Sequence, residues 1–324
     1  MIESLKRLND PGTIFFPPYV AVSMLVTLIW LLNRPKLGVQ ESFRFIFSRE
    51  VWLSRTTWID INFCLIYLIF LRTLAGSIEN SVFLTALMRS NQAIVWAKGN
   101  FWTLHMPPLF EGIIATLVTM LSIDFATYVA HRLMHQIKPL WAIHSVHHSA
   151  TQLTLLTAYR QHPLELIILN STRGLFAGTG LALFHILFPA KTPVITISGL
   201  GAGFFLYMFT VNLQHSNVPV RYPEWVCSIF LSPHIHHIHH SNESRHHLCN
   251  FGVVFSFWDK FFCTYNDEKI GLTELRFGLG THDPFNQSLS RSLIYPFILI
   301  LRLTQSRLIS LLNQPKTNIE IPNK

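Results

Sequence analysis

Long apolar stretches constrain the fold of this 324-residue chain more than any other feature of its sequence. A helix needs roughly 20 apolar residues to cross the hydrocarbon core of a bilayer. Four or five stretches approach or reach that length, and they are Ile14–Leu32, Trp58–Gly76, Leu109–Ala130, Leu164–Phe188 and Pro193–Leu213. Charged residues make up only 13% of the chain, about half of their share in soluble domains. The sequence therefore predicts an all-α integral membrane protein with about four to five transmembrane helices.

The distribution of basic residues predicts how the chain is oriented. Lys and Arg outnumber Asp and Glu by 25 to 17, and in so apolar a chain this excess fits an anionic lipid surface better than nucleic acid. The predicted loop Asn33–Thr57 holds five Lys or Arg residues, whereas the predicted loop Ser77–Pro108 holds two. Basic loops stay in the cytoplasm, so we expect the polar, histidine-rich part of the chain to form a cytoplasmic cap of helices.

Histidines are concentrated in one part of the chain. Of 17 histidines, 15 lie between His131 and His247. An HxxxH pair, an HxxHH group and a third group that repeats HxxHH have the spacing of metal ligands on one helix face. Their members are His131 and His135, then His144, His147 and His148, then His236, His239 and His240. Eight imidazoles exceed what one ion takes, so we expect two metal ions, and ligand type alone leaves iron, zinc, copper and nickel open.

These motifs resemble those of the fatty acid hydroxylase or sterol desaturase superfamily of membrane di-iron oxygenases. The segments that carry the resemblance are Asp124–His135, Leu140–His148, Tyr159–Pro163, Gln214–Asn217, Pro233–His240, Asn250–Gly252 and Trp258–Asp259. The resemblance implies that the eight histidines are metal ligands, that His215 is a ninth ligand and that His162 is a candidate for a further one. Cys263 and the pair His246–His247 depart from the family's motifs. These departures put in doubt the contacts in the cap that set the specificity for the substrate and the electron donor.

The apolar stretches and the resemblance together predict an organisation, and the resemblance implies a chemistry. Residues 1–108 are expected to be membrane anchor helices, 109–286 a fatty acid hydroxylase-type domain, and 287–324 a tail with an interfacial helix around Leu293–Leu301. Two iron ions would use O2 and two electrons to hydroxylate or desaturate an unactivated C–H bond of a lipid from the bilayer. The lipid is expected to be a fatty acyl chain, an ether lipid or a sterol-like molecule.

The electrons are expected from another protein. The sequence has no dinucleotide-binding fingerprint and no haem or iron–sulfur module, so we predict a donor of the ferredoxin or cytochrome b5 type. A multi-pass protein of the bacterial inner membrane or the endoplasmic reticulum fits this arrangement.

Two acidic residues near the histidines are candidates for supporting roles. Asp124 lies seven residues before His131, two turns along the same helix, and is predicted either to fix a histidine tautomer as a hydrogen-bond acceptor or to be a hydrated acid at a helix end. Glu165 follows His162 and Pro163, where a simple charge at a helix start is the preferred interpretation over a pairing with Arg160 or His162.

Two other classes of protein compete with this interpretation. A zinc-dependent membrane hydrolase needs about three protein ligands and a metal-bound water, which leaves at least five of the histidines unexplained. A metal transporter should carry its ligands along the membrane spans, whereas these histidines flank the spans. Measurements of metal content, O2 uptake and metal flux distinguish these three hypotheses.

Overall fold

The computed structural model is helical. It describes residues 16–33, 44, 46–97, 104–188, 195–197, 200–201, 211, 213–270 and 274–312. The helices are α1 (Pro17–Leu32), α2 (Arg49–Trp52), α3 (Arg55–Ile66), α4 (Arg72–Ala97), α5 (Pro108–Gln136), α6 (Lys138–His148), α7 (Pro163–Leu187), α8 (Glu224–Cys227), α9 (Pro233–His240), α10 (Phe257–Phe261) and α11 (Leu289–Leu312). A π-helical turn, Tyr67–Leu71, joins α3 to α4 without a break, and short 3-10 turns cover 155–159, 244–246 and 280–282. Within the described ranges the named strands are one two-residue antiparallel pair, β1 (Thr196–Ile197) and β2 (Leu200–Gly201). The predicted all-α class is confirmed.

Three helices of the described part are long and apolar enough to cross a membrane. They are the segments Arg55–Ile94, Pro108–Gln136 and Pro163–Leu187. Helix α1 is apolar but has only 16 residues. Most of the predicted span Pro193–Leu213 lies outside the described residues, so the predicted number of four to five transmembrane helices stays a prediction.

The prediction of a loop over Ser77–Pro108 is wrong for residues 77–97, because helix α4 continues to Ala97. Polar residues such as Glu79 and Asn80 lower the hydropathy there, but α4 is stabilised by close packing on α7. The backbones approach at Gly174 and Gly178, where an added Cβ would overlap the carbonyl oxygens of Glu79 and Phe83. The orientation argued from the charges of that loop therefore remains a prediction.

Helix α5 connects the membrane part to the histidine-rich cap. Its 29 residues are about 43 Å long, more than the roughly 30 Å of a hydrocarbon core. The chain reverses at Ile137, which has extended backbone angles, and α6 starts immediately afterwards with Pro139 in its first turn. Helices α5 and α7 pack along each other, and α11 packs against α6.

A buried ion pair joins these layers. The Arg160 guanidinium donates to Asp60 at 3.0 Å, to the Thr56 hydroxyl at 2.7 Å and to the Val146 carbonyl at 3.2 Å. Arg160 and Asp60 are both fully buried. Because Val146 lies beside His147 on α6, this pair ties α3 to the helix that carries the second histidine group.

Candidate metal centre

The distant histidine groups meet in the cap and form two sets. The first, here the five-histidine set, takes members from α5, α6 and α9: His131, His135, His144, His148 and His239. One ring nitrogen of each lies within 4.8 Å of the corresponding atoms of the others. Four of the five side chains are buried, and His135 is partly buried.

The second, here the four-histidine set, is more tightly gathered. Its members are His147, His215, His236 and His240. The Nε2 atom of His215 lies 3.1 Å from that of His147, 3.0 Å from that of His236 and 3.2 Å from that of His240. His215 comes from the chain between β2 and α8, so this segment completes a set that α6 and α9 begin.

The two sets adjoin because neighbouring residues in the sequence belong to different sets. His147 and His148 point to different sets, as do His239 and His240. Consecutive side chains on a helix are rotated by about 100°, which directs such neighbours to adjacent sites. The rings of His148 and His240, one from each set, are stacked with centroids 4.5 Å apart.

The nitrogen positions fit metal coordination. In the five-histidine set the Nε2 atom of every member is buried and has no hydrogen-bond partner among the described residues. Two nitrogens bound at about 2.1 Å to one ion would lie roughly 3.0–3.4 Å apart. Four of the six Nε2 pairs in the four-histidine set are separated by 3.0–3.2 Å. Buried imidazole nitrogens without partners are costly unless they bind something. Both sets therefore fit an ion, and nitrogen donors suit iron, zinc, copper or nickel.

Burial keeps these imidazoles in the form that binds metals. It lowers the pKa of His215 to about 3, and neighbouring imidazoles add to the effect. Burial, followed by the other imidazoles, likewise lowers the pKa values of the set members on α6 and α9 well below their ordinary value; these are His144, His147, His148, His236, His239 and His240. A neutral imidazole has the lone pair that coordination needs.

Hydrogen bonds to the other ring nitrogen orient three members of the five-histidine set. The Nδ1 atom of His131 lies 2.9 Å from the Phe251 carbonyl oxygen, and that of His239 lies 2.7 Å from the Cys249 carbonyl oxygen. An Nδ1–H donor to a carbonyl leaves Nε2 as the free acceptor. The segment 249–251 therefore directs the Nε2 atoms of His131 and His239 into the five-histidine set.

His144 has a carboxylate partner instead. Its Nδ1 atom lies 2.9 Å from Oε1 of Glu165, which is fully buried at the start of α7. The preferred interpretation of Glu165 as a simple charge at a helix start is therefore corrected. The partner of Glu165 lies 21 residues earlier in the chain, and only the packing of α6 beside α7 brings the two together.

Two buried carboxylates hold the segment that follows Asn250. Asp259 accepts hydrogen bonds from the backbone N–H groups of Phe251 and Gly252. Asp124 accepts them from the N–H groups of Val254 and Phe255 and from the Trp258 indole. Both predicted roles of Asp124 are therefore corrected: in the described part of the chain it has no hydrogen bond to an imidazole, and it is buried rather than hydrated. The role of Asp259 was not predicted, although its motif was noted.

His162 lies apart from both sets. Its Nε2 atom is 3.1 Å from the Leu293 carbonyl oxygen, and its Nδ1 atom accepts a hydrogen bond from the Leu164 N–H at the start of α7. Both ring nitrogens are engaged, so His162 caps a helix and joins it to α11. We therefore leave His162 out of the ligand set and retain the other nine predicted residues.

A cavity of about 480 Å³ opens beside the centre. Its lining includes four members of the two sets, which are His135, His148, His239 and His240. The other walls come mainly from α6, α11 and the turn 278–284. This volume is within the range of ligand pockets.

A helical fold with helices long enough to cross a membrane thus brings together two adjoining sets of buried imidazoles, and each set could hold a metal ion. Residues 116–264, just under half of the chain, match the family model described as fatty acid hydroxylase, in agreement with the resemblance predicted from the motifs. The matched region contains all nine histidines of the two sets together with Asp124, Glu165 and Asp259.

Curated relatives have similar sequences over the same region. The chain is 27% identical over 169 residues to an ornithine lipid hydroxylase of Rhizobium tropici, a match that covers 52% of the chain and 45% of that relative. It is 28% identical over 171 residues to an alkylglycerol monooxygenase of Caenorhabditis elegans, with 51% and 29% covered. It is 28% identical over 138 residues to a methylsterol monooxygenase of Danio rerio, with 42% of each covered.

The chain thus matches less than half of the length of each of these relatives. A search of solved structures finds no match.

Proposed function

We propose that this protein is a membrane-bound di-iron monooxygenase that hydroxylates an unactivated C–H bond of a lipid. The observation that carries the proposal is the pair of adjoining imidazole sets, each with buried nitrogens that suit one ion. Nine ligands exceed the needs of a single ion, and three ligands would serve a catalytic zinc. The family resemblance favours iron among the metals that imidazoles bind.

The reaction consumes a C–H bond, O2, two electrons and two protons, and it yields an alcohol and water. The irons, when bound, supply the activation of O2 for oxidation of the C–H bond. Glu165 and the carbonyl oxygens of Phe251 and Cys249 hold three imidazoles in the tautomer that coordinates through Nε2. Neutral imidazole ligands leave the positive charge of the ions uncompensated, and Glu165 is the carboxylate nearest to a ligand in the described part of the chain.

Hydroxylation is favoured over desaturation by the relatives. They are named as an ornithine lipid hydroxylase, an alkylglycerol monooxygenase and a methylsterol monooxygenase. Their common reaction is the insertion of one oxygen atom into a lipid, while their lipids differ. A lipid substrate also fits a cavity that adjoins the metal centre and has leucines in its wall.

We further propose that the histidine cap faces the cytoplasm, in a bacterial inner membrane or the endoplasmic reticulum. The electrons would come from a ferredoxin or a cytochrome b5-type protein on that side. The basic loop before Trp58 supports this orientation, which a cysteine-accessibility experiment on the cap would test.

Metal analysis and O2 uptake of the purified protein test the proposal. We expect two irons per chain and O2 uptake that depends on a reductant and a lipid. His147→Ala, which removes a member of the four-histidine set, should lose iron and turnover while the protein still inserts into the membrane. His162→Asn is the matched control, because it removes a buried imidazole outside both sets and should keep two irons.

Other outcomes would overturn the proposal. One zinc per chain with no O2 uptake would identify a zinc-dependent hydrolase. Metal flux into vesicles that contain the protein would identify a transporter. Full turnover by the His147→Ala variant would remove the four-histidine set from the reaction.

A further inference from the structure

Two short stretches of the cap pack into one unit beside helix α5. Residues 224–231 contain α8, and residues 251–262 contain α10. The N–H group of Ser256 donates to the Ile229 carbonyl oxygen at 2.9 Å, and the Ser256 hydroxyl donates to the Cys227 carbonyl oxygen at 2.8 Å. We call these two stretches the α8–α10 unit.

The α8–α10 unit lies along the part of α5 that enters the bilayer. Asp124 of α5 accepts a hydrogen bond from the Trp258 indole at 2.9 Å, and the ring of Phe125 lies 4.7 Å from that of Trp258. The hydrocarbon core takes up roughly 20 residues of a spanning helix. Asp124 and Phe125 are the 17th and 18th residues of α5, so they fall within a core that begins with this helix at Pro108.

Helix α7 indicates the same depth. The ring of Phe125 lies 5.8 Å from that of Phe176 on α7. Phe176 is about 20 Å from the start of α7 at Pro163, the end of the helix where Glu165 meets the five-histidine set. The α8–α10 unit is therefore level with the inner parts of two spans, below the ends that carry the histidines.

Buried carboxylates pair the irregular backbone of the unit. Backbone that is not helical is tolerated at membrane depth only where its polar groups have partners within the protein. The N–H groups of residues 251–252 donate to Asp259. Those of residues 254–255 donate to Asp124. The two carboxylates thus satisfy four donors for which lipid offers no acceptor.

The outward side chains of the unit are large and apolar. Trp225 exposes 76% of its surface, Phe261 exposes 77% and Ile229 exposes 46%. Exposed apolar groups of this size mark a surface that meets another apolar phase or partner. Tryptophan and other aromatic side chains are enriched where a membrane protein meets the interface between lipid and water.

Two charged side chains limit how deep the unit lies. Glu224 and Lys260 are exposed beside the apolar side chains. The Lys260 ammonium donates to the Cys227 carbonyl oxygen at 3.1 Å and lies 4.7 Å from the centre of the Tyr265 ring. Long charged side chains reach the head groups from a short distance below them. The unit therefore fits the boundary between head groups and acyl chains.

We propose that the α8–α10 unit lies in the bilayer itself, at this boundary, with Trp225, Ile229 and Phe261 in contact with lipid. The partner of this surface is the lipid of the leaflet on the cap side, because the surface is continuous with the spans α5 and α7. Phe251 belongs to the unit and its carbonyl orients His131, so the unit also fixes the height of the histidine sets above the lipid. The inference depends on neither the metal nor the reaction.

Quenchers attached to lipid test the inference. Trp225→Cys and Phe261→Cys are each made with Cys263→Ser, which removes the exposed cysteine, and are labelled with a fluorophore. The proteins are placed, one chain each, in nanodiscs of phosphatidylcholine that carry a doxyl group near the top of an acyl chain. We expect both labels to be quenched as strongly as a label on Leu175→Cys, at an exposed position of α7 next to Phe176. A label on Ser244→Cys, in an exposed turn of the cap, is the control and should be quenched several-fold less.

Photolabelling of the unaltered protein gives a second measurement that does not depend on the folding of a variant. The bilayer is phosphatidylcholine with a diazirine in the upper part of an acyl chain. We expect cross-links in peptides that cover residues 224–231 and 257–262. Peptides that cover residues 241–248 of the cap should carry several-fold fewer.

Several outcomes would overturn the inference. Labels at positions 225 and 261 that doxyl lipid quenches no more than the label at position 244 would do so, as would photolabelling that spares both stretches. Quenching by iodide in the water instead of by the lipid would assign the surface to a protein partner. Failure of the proposed function, such as one zinc per chain without O2 uptake, would leave the lipid contacts as they are, so the two failures are distinguishable.

Discussion

The carboxylate of Glu165 lies 2.9 Å from Nδ1 of His144, with both side chains buried. This contact joins the start of a membrane-spanning helix to a member of the five-histidine set. The position of the carboxylate indicates that it keeps His144 oriented for coordination through Nε2.

Glu165→Gln should weaken metal binding at the five-histidine set about 10- to 100-fold, because an amide holds the imidazole less strongly than a carboxylate. The measurement is iron retention during titration with a chelator. Glu243→Gln is the control, since that carboxylate pairs with Arg245 at the exposed surface. Equal retention by the Glu165 and Glu243 variants would show that the contact is dispensable for the metal.

Asp60→Asn should lower the free energy of unfolding by about 3–5 kcal/mol, because it leaves the Arg160 guanidinium buried without its counter-charge. Unfolding in detergent, followed by circular dichroism, measures the change. Asp267→Asn disrupts the half-exposed pair with Arg221 and should cost no more than about 1 kcal/mol. Similar losses in the two variants would argue against the buried pair as a support of α6.

Gly178→Ala should destabilise the protein by about 1–3 kcal/mol, since the new Cβ would overlap the Phe83 carbonyl oxygen and force α4 and α7 apart. Gly76→Ala is the matched change on α4. Nothing lies within 4 Å of the Cβ that it adds, so it should be neutral or stabilising by up to about 1 kcal/mol. The measurement is the midpoint of thermal unfolding of both variants in the same detergent. Equal midpoints for the two variants would refute the close packing of α4 on α7.

The stabilising effect of Asp259 should depend on pH. Burial raises the pKa of Asp259 from its ordinary 3.8 to about 6, which means that the folded protein keeps a proton that the unfolded chain has released. The contribution of this group to stability is therefore highest below about pH 4, falls as the pH rises to about 6 and is constant above that. Relative to Asp259→Asn, the wild type should lose stability between about pH 4 and pH 6.

Denaturant unfolding of both proteins across this range checks the prediction. Asp267→Asn, the same substitution at an exposed carboxylate, is the control. A difference between wild type and Asp259→Asn that grows with pH would mean that hydrogen bonds from Phe251 and Gly252 outweigh burial.

The sequence predicted which histidines come together better than it predicted how they are arranged. Spacing alone puts His131 and His135 on one face of a helix, and three such groups are enough to predict two ions. The division into a set of five and a set of four depends on how α5, α6 and α9 cross, which no local pattern encodes. His162 has a ligand-like neighbourhood in the sequence, yet its two ring nitrogens are used to cap α7 and to bind α11.

The missed features are all long-range contacts. Glu165 meets His144 across the space between two helices, and Asp124 meets Val254 across 130 residues. Helix α4 extends beyond the apolar stretch because its partner α7 presents glycines, a property of the pair that hydropathy along one helix cannot reveal. The length of an apolar stretch predicts that a transmembrane helix exists, but it does not predict well where that helix ends.

His147 and His148, like His239 and His240, divide their imidazoles between the two sets. A shift of α6 or α9 would therefore move members of both sets together. If each set holds an ion as proposed, a variant that alters the affinity of one ion through these helices should change that of the other in the same step.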